Sequence, residues 1–325
     1  MAAGTLGQPL LPELGFTRKV FGMSHHHHHH HHGPADHNAA FAWGVALNAA
    51  YIGIEVGCGL WANSLALLAD AGHNASDVLG LLLAWGAHRL SSVRPTERRT
   101  YGWRSSSILA ALVNAIVLLV AIGGIAWEAV RRFGDPGATD AVVVIVAATL
   151  GTIINTATAL LFIRGKERDL NIRGAFLHMA ADAAISLGVV VAGVCIWLTG
   201  WTWIDPAVSL AVAGLILWGT WGLFRDSANL ALHAVPAGID PREVRGYLAG
   251  LPGVEGLHDL HIWAMSTTEA ALTAHLVMPN AAGDDAFLAE TCRELHDRFG
   301  IEHTTLQIER GHAEIFCRQS PDDVV

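Results

Sequence analysis

Between residues 41 and 224 the chain carries six stretches of roughly 20 mostly apolar residues, the length an α-helix needs to cross the hydrocarbon core of a bilayer. They run approximately Phe41–Trp61, Ser64–His88, Ile108–Val130, Ala141–Ile163, Ala175–Thr199 and Pro206–Phe224. In lipid every backbone polar group must be satisfied internally, so a segment of this kind has little choice but to be helical. Short polar or Gly/Pro-containing connections such as Arg94-Pro95-Thr96-Glu97 and Gly134-Asp135-Pro136-Gly137 separate the stretches. Composition agrees: 52% of residues are apolar and 15% charged, against about 25% charged in ordinary soluble domains. That balance argues against a purely soluble enzyme, and a net charge of −9 against a nucleic-acid partner. The cysteines Cys58, Cys195, Cys292 and Cys317 form neither a CxxC motif nor the pattern of a disulfide framework.

Loop charge orients the spans. The loop after the second span holds Arg89, Arg94, Arg98, Arg99 and Arg104, and the loop after the fourth holds Arg164, Lys166, Arg168 and Arg173. The first and fifth loops hold no Lys or Arg, and the third only Arg131 and Arg132. The positive-inside rule then puts the second and fourth loops, and with them both termini, in the cytoplasm of a multi-pass inner-membrane protein. No cleaved signal peptide is expected at the N-terminus.

The charge also marks a boundary near Leu232–Pro236. Residues 1–232 carry 14 basic and 14 acidic side chains, whereas residues 233–325 carry 6 and 15. Beyond the boundary the pattern is that of a small soluble domain. Asp240-Pro241-Arg242-Glu243 reads as a helix start, and Leu257–Met265 and Ala270–Met278 read as strands. Leu288, Cys292, Leu295 and Phe299 share one face of a second helix that stops at Gly300, and His303–Glu309 reads as a third strand. The expected organisation is a His-rich disordered tail over 1–38, a six-helix transmembrane domain over 39–232, a cytoplasmic αββαβ domain over 233–316 and a short tail over 317–325.

A charged side chain at the bilayer centre costs roughly 2.5–3.5 kcal/mol on insertion scales, so ionisable residues within the spans mark a function. The second span carries Asp70, His73 and Asp77, and the fifth carries His178 and Asp182. His73 and Asp77 are four residues apart, as are His178 and Asp182, and residues at i and i+4 share a helix face. Two such helices facing one another supply two imidazole nitrogens and two carboxylate oxygens, the donor set of a tetrahedral zinc site. Structural hydrogen bonding between helices explains one copy of His-x-x-x-Asp more readily than two. Asp70 suits either a supporting carboxylate, an access group or a helix-end hydrogen bond. Glu55, Asn48, Asn114 and Asn155 are further polar positions in the spans, and the Asn residues read as contacts between helices rather than ligands.

The stretch Leu67-Leu68-Ala69-Asp70-Ala71-Gly72-His73-Asn74-Ala75-Ser76-Asp77, His178-Met179-Ala180-Ala181-Asp182, Tyr101-Gly102-Trp103 and Leu257-His258-Asp259-Leu260-His261-Ile262-Trp263 resemble the cation diffusion facilitator family of metal-ion exporters. The resemblance covers about residues 39–312. It implies an α-helical membrane protein of six transmembrane helices with a metallochaperone-like cytoplasmic αββαβ domain, assembled as a homodimer. It implies that His258, His275 and Glu309 hold a regulatory metal in that domain, with Cys317 and His312 just beyond. His73 at the first ligand position goes with zinc in this family. Some relatives have a His/Asp cluster in the second loop, whereas Arg94–Arg104 holds neither residue, and many carry a Glu at the start of the third span, where this chain has Ser105-Ser106-Ser107. His261, three residues from His258, is expected on the opposite face of its strand.

Zn²⁺ is thus expected both as transported substrate and as regulatory ligand, with protons as the counter-ion and no enzymatic activity. A His-rich tract such as His25–His32 reads as a metal-collecting tail or as a tag. The alternatives are a zinc-sensing membrane receptor and an exporter with broader cobalt and cadmium specificity. An intramembrane metallohydrolase would need a catalytic Glu beside its His ligands, and no HExxH occurs.

Overall fold

The computed structural model describes residues 37–135, 137–163, 170–280, 285–311, 317 and 319. The tract His25–His32 and His312 lie outside the described residues, as do Arg164, Lys166 and Arg168 of the fourth loop. Six long helices come first: α1 (His37–Trp61), α2 (Leu65–Ser91), α3 (Ser106–Arg132), α4 (Ala141–Phe162), α5 (Leu170–Thr199) and α6 (Ile204–Ala231). Among the described residues, Ser106–Arg132, Ala141–Leu160, Phe176–Thr199 and Ile204–Ala231 are long and apolar enough to cross a membrane, and Ala49–Trp61 is a shorter apolar segment. Helix α2 is long enough, but Asp70, His73, Asn74 and Asp77 dilute its hydropathy. The protein is a multi-pass membrane protein.

Helix α4 packs along α5, and α3 packs against both α2 and α6. The seams use small residues: Ala62, Ala66, Ala147, Ala148 and Val189 are buried together with Leu67 and Val144, and Ala69 and Ala213 meet Ile122. At Gly193 of α5 an added methyl carbon would stand 2.8 Å from Ile145 Cγ1 of α4, so only glycine allows this approach. The outer surface is apolar, with Trp61 82%, Trp218 80% and Val120 72% exposed. Such faces need lipid to cover them.

The start of α2 is held from a distance. Ser64 caps it, accepting from the Leu67 N–H. Asp205, in the first turn of α6 and only 2% exposed, accepts from the Leu65 N–H at 2.8 Å and from the Ser64 hydroxyl. A carboxylate at a helix N-terminus satisfies orphan donors and complements the helix dipole. Two helices are thereby fixed at the end of α2 from which His73 and Asp77 are counted.

After α6 comes the small domain: α7 (Pro241–Ala249), β1 (Gly256–Ala264), β2 (Ala270–Val277), α8 (Asp285–Phe299) and β3 (Ile301–Glu309). Asp240 caps α7 with Pro241 in its first turn, as the sequence implies. The sheet order is β1-β2-β3, with β1 and β2 antiparallel and β2 and β3 parallel. Val244 and Leu248 of α7 and Leu295 of α8 close its core over Ile262, Leu272, Leu276 and Ile301.

The β1–β2 turn meets the second loop. Arg104 pairs with Glu269 at 2.8 Å, the Ser105 hydroxyl donates to the Met265 carbonyl, and the Thr267 N–H donates to the Ser107 hydroxyl. The Ser105-Ser106-Ser107 run therefore receives the turn of the small domain.

Candidate metal centres

Helices α2 and α5 bring both His-x-x-x-Asp pairs to one point. His73, Asp77, His178 and Asp182 each offer a donor atom, and these four atoms lie within 4.8 Å of one another. The pairs cross between helices. His73 Nε2 stands 3.1 Å from Asp182 Oδ1, and His178 Nε2 stands 3.2 Å from Asp77 Oδ2. Within each helix the spacing is wider, 3.8 Å for His73–Asp77 and 3.6 Å for His178–Asp182. The rings stand edge to face, their centroids 5.9 Å apart. Both Nε2 atoms therefore point inward, and one dication among two imidazoles and two carboxylates would satisfy all four groups at once. Asp182 is buried, while His178 is 45% and Asp77 35% exposed at the side chain.

One helical turn beyond Asp77, Gly80 begins the lining of a cavity of about 590 Å³. It runs between α2 and α3 past Asn114 and Ser107 to the β1–β2 turn at Ser266–Glu269. On the other side of the cluster Asp70 is fully buried and accepts from the Ser186 hydroxyl of α5 at 2.7 Å. That bond links α2 to α5 beside the cluster. Asn114 and Asn155 are placed among helices, although Asn114 Oδ1 and Asn155 Nδ2 have no hydrogen-bond partner among the described residues. Asn48 has no described side chain.

In the small domain, His258 of β1, His275 of β2 and Glu309 of β3 come together across the three strands. His258 pairs with His275 in register, their ring centroids 5.1 Å apart. Glu309 Oε1 stands 3.0 Å from His275 Nδ1 and Oε2 stands 3.4 Å from His258 Nε2. Cys317, which the sequence places in the tail, returns to this cluster with Sγ 3.7 Å from His275 Nδ1. Donor atoms of all four residues lie within 4.8 Å of one another. His258 Nε2 is buried without a hydrogen-bond partner, an orphan that a metal ion would satisfy. Burial alone pushes the Glu309 carboxyl up. Hydrogen bonds from Gln307 and Cys317 and the neighbouring His258 and His275 outweigh it and hold the carboxyl below the ordinary Glu range.

The expectation for His261 is overturned. The β1–β2 register shifts between His258 and His261, and Asp259 has a positive φ of 51°. A bulge adds a residue to one strand and so resets the alternation of faces. His261 therefore lies opposite Thr273, two residues from His275, on the same face as His258. The bulge also turns Asp259 inward: Oδ2 stands 3.4 Å from His275 Nε2, and Oδ1 2.9 Å from His261 Nε2. A carboxylate on the far ring nitrogen is the arrangement that ligating imidazoles commonly have, and Asp259 stands in that place for His275. Nothing in strand alternation pointed to it.

Residues 42–230 match the model of the cation efflux transmembrane domain, and residues 236–311 that of the cation efflux protein cytoplasmic domain. The chain is 37% identical over 281 residues to the zinc transporter ZitB of Escherichia coli (strain K12), covering 85% of this chain and 89% of that one. It is 34% identical over 282 residues to the metal cation efflux system protein CzcD of Cupriavidus metallidurans, with 86% and 89% covered. It is 33% identical over 264 residues to the cadmium, cobalt and zinc/H(+)-K(+) antiporter of Bacillus subtilis (strain 168), with 80% and 85% covered. A solved metal-bound C-terminal domain of the Cupriavidus metallidurans CzcD transporter is 38% identical, spans 22% of this chain and 98% of that one, and has a TM-score of 0.20.

Proposed function

Taking as premise that the chain belongs to the cation diffusion facilitator family of cation efflux transporters, we propose that it exports Zn²⁺ from the cytoplasm in exchange for protons. The observation that carries this reading is the convergence of His73, Asp77, His178 and Asp182 within 4.8 Å at membrane depth. Imidazole plus carboxylate suits Zn²⁺ better than Mg²⁺ or Ca²⁺, and the name of the Escherichia coli relative agrees.

Proton coupling rests on the same atoms. A metal binds neutral imidazole and ionised carboxylate, so binding releases protons and protons compete for the vacated donors. The cavity that begins at Gly80, one turn beyond Asp77, and runs to Ser266–Glu269 supports access from the side of the small domain. A rocking of the bundle would expose the cluster outward, where an acidic exterior displaces the ion. The cycle is then driven by the proton gradient across an inner membrane, with both termini cytoplasmic.

His258, His275, Glu309 and Cys317 form the regulatory metal site in this reading, in a domain that joins two copies as a homodimer. Cys317 adds a soft donor to the set inferred from the strands. A second reading of selectivity, extending to cadmium and cobalt, is favoured by the cations in the name of the Bacillus subtilis relative.

The test is metal uptake into everted vesicles across a panel of zinc, cadmium, cobalt and magnesium. Zinc uptake that depends on an acid lumen and stops when the pH gradient is collapsed supports the proposal. Uptake indifferent to the gradient contradicts antiport, and zinc no faster than cobalt and cadmium supports the broader selectivity.

A further inference from the structure

Glu55 and Asp70 are both fully buried, and Asn74, four residues after Asp70 on the same face of α2, donates to Glu55, which makes the two carboxyl groups neighbours. Glu55 lies on α1 and Asp70 on α2. The Tyr51 hydroxyl donates to Glu55 Oε1 at 3.1 Å and Asn74 Nδ2 donates to Oε2 at 3.2 Å. Asp70 Oδ2 accepts from Ser186, but Oδ1 is buried with no donor. No Lys or Arg occurs in 49–61, 65–88, 108–130, 141–162, 176–199 or 204–224. The titratable neighbours are Tyr51 and Cys58 on α1, His73 on α2 and Asp182 on α5. Helix α4 has no titratable side chain. Asp205 of α6 is engaged at the start of α2, and Glu128 of α3 is engaged with Arg132. Both imidazoles of the cluster already face Asp77 and Asp182.

Two neighbouring carboxylates, out of water and without a cation of their own, cannot both be ionised. A proton on one of them removes the repulsion, and Asp70 Oδ1 is a buried acceptor with no other donor. We propose that Glu55 and Asp70 form a second proton-binding site of the transport cycle, holding one proton between them and changing its occupancy as metal enters and leaves the neighbouring cluster. The balance is that of a simple acid: Glu55–COOH gives Glu55–COO⁻ and a proton released to water, with no other bond made or broken. A dication among His73, Asp77, His178 and Asp182 adds positive field beside Asp70 and lowers the pair's proton occupancy; its departure raises it. Protons exchanged per metal ion then exceed what the four cluster residues alone supply. This inference rests on the metal-transport reading for its coupling, but the shared proton does not.

Infrared spectroscopy of the metal-free full-length protein tests the proton directly. A protonated-carboxyl C=O band is expected at neutral pH, shifted by ¹³C-carboxyl-labelled Glu and lost in Glu55→Gln. No labelled-Glu component in that band would overturn the proposal without any substitution having to fold. Titration calorimetry with Zn²⁺ in buffers of different ionisation enthalpy then counts protons released per metal bound. Glu55→Gln and Asp70→Asn should each bind Zn²⁺ and release fewer protons, by up to about one per metal ion. Release equal to wild type in both variants would overturn the coupling. Failure of the transport reading has a different signature: wild-type protein showing no Zn²⁺ binding that depends on Asp77.

Discussion

Asp259 shows how one backbone irregularity sets up a site. Its positive φ is a conformation that Asp and Asn adopt more readily than most residues, and it lets one carboxylate face both His261 and His275. Asp259→Asn keeps the conformation and removes the charge, so the sheet should survive. Zn²⁺ affinity at the cytoplasmic cluster should fall about 10- to 100-fold, the usual cost of losing an orienting carboxylate, as read by calorimetry on the full-length protein. An unchanged affinity would show that the carboxylate orients nothing. Glu309 adds a pH signature. Its carboxyl sits below the ordinary Glu range in the folded protein, so the stability it contributes is present above the unfolded Glu value and is lost as pH falls through the folded one. Glu309→Gln should flatten that acid limb in thermal melts of the metal-free protein, and an equally steep limb would count against the assignment. At this scale the membrane cluster was legible because i and i+4 fix a shared helix face. Asp259 was not, because a bulge leaves no mark in strand alternation. The approach of Cys317 to His275 was not legible either, because no periodicity relates a residue beyond the last strand to the middle of β2.

Among elements, the links that position α2 lie far apart in sequence. The apolar stretches gave five of the helices to within about five residues, whereas the sixth runs seven residues past Phe224 to Ala231, and the αββαβ order was readable from caps and alternation. The cap that Asp205 supplies to α2 was not, since the sixth stretch reads as starting at Pro206 and nothing local pairs it with Ser64. Asp205→Ala leaves the Leu65 N–H and the Ser64 hydroxyl without this partner, which costs about 1–3 kcal/mol for buried groups. The variant should melt at a lower temperature in detergent, followed through tryptophan fluorescence, while still binding Zn²⁺; an unchanged midpoint would remove the cap from the account. The contact of the β1–β2 turn with the second loop is a further link. Arg104→Glu should weaken the dependence of transport rate on metal at the cytoplasmic cluster, and Arg104→Glu with Glu269→Arg should restore it. If the single and double variants behave alike, the ion pair carries no signal between the domains.

For the whole molecule, the distribution of polar groups gives the chain its direction. The α2–α3 cavity runs from Gly80, one turn beyond Asp77, to the small domain, whereas Glu55 and Asp70 lie on the opposite side of the cluster, toward the start of α2. The cluster therefore stands between the inner end of that cavity and two buried acids, an arrangement suited to an ion and protons using one passage. The central claim is that His73, Asp77, His178 and Asp182 hold the ion in transit. The most direct measurement is zinc uptake into acid-loaded proteoliposomes by wild-type protein and by Asp182→Asn, whose side chain matches in volume and sits in the most buried position of the four. The account predicts that wild type accumulates zinc and that Asp182→Asn does not, although it still binds zinc at the cytoplasmic cluster. Uptake by Asp182→Asn at the wild-type rate would contradict it.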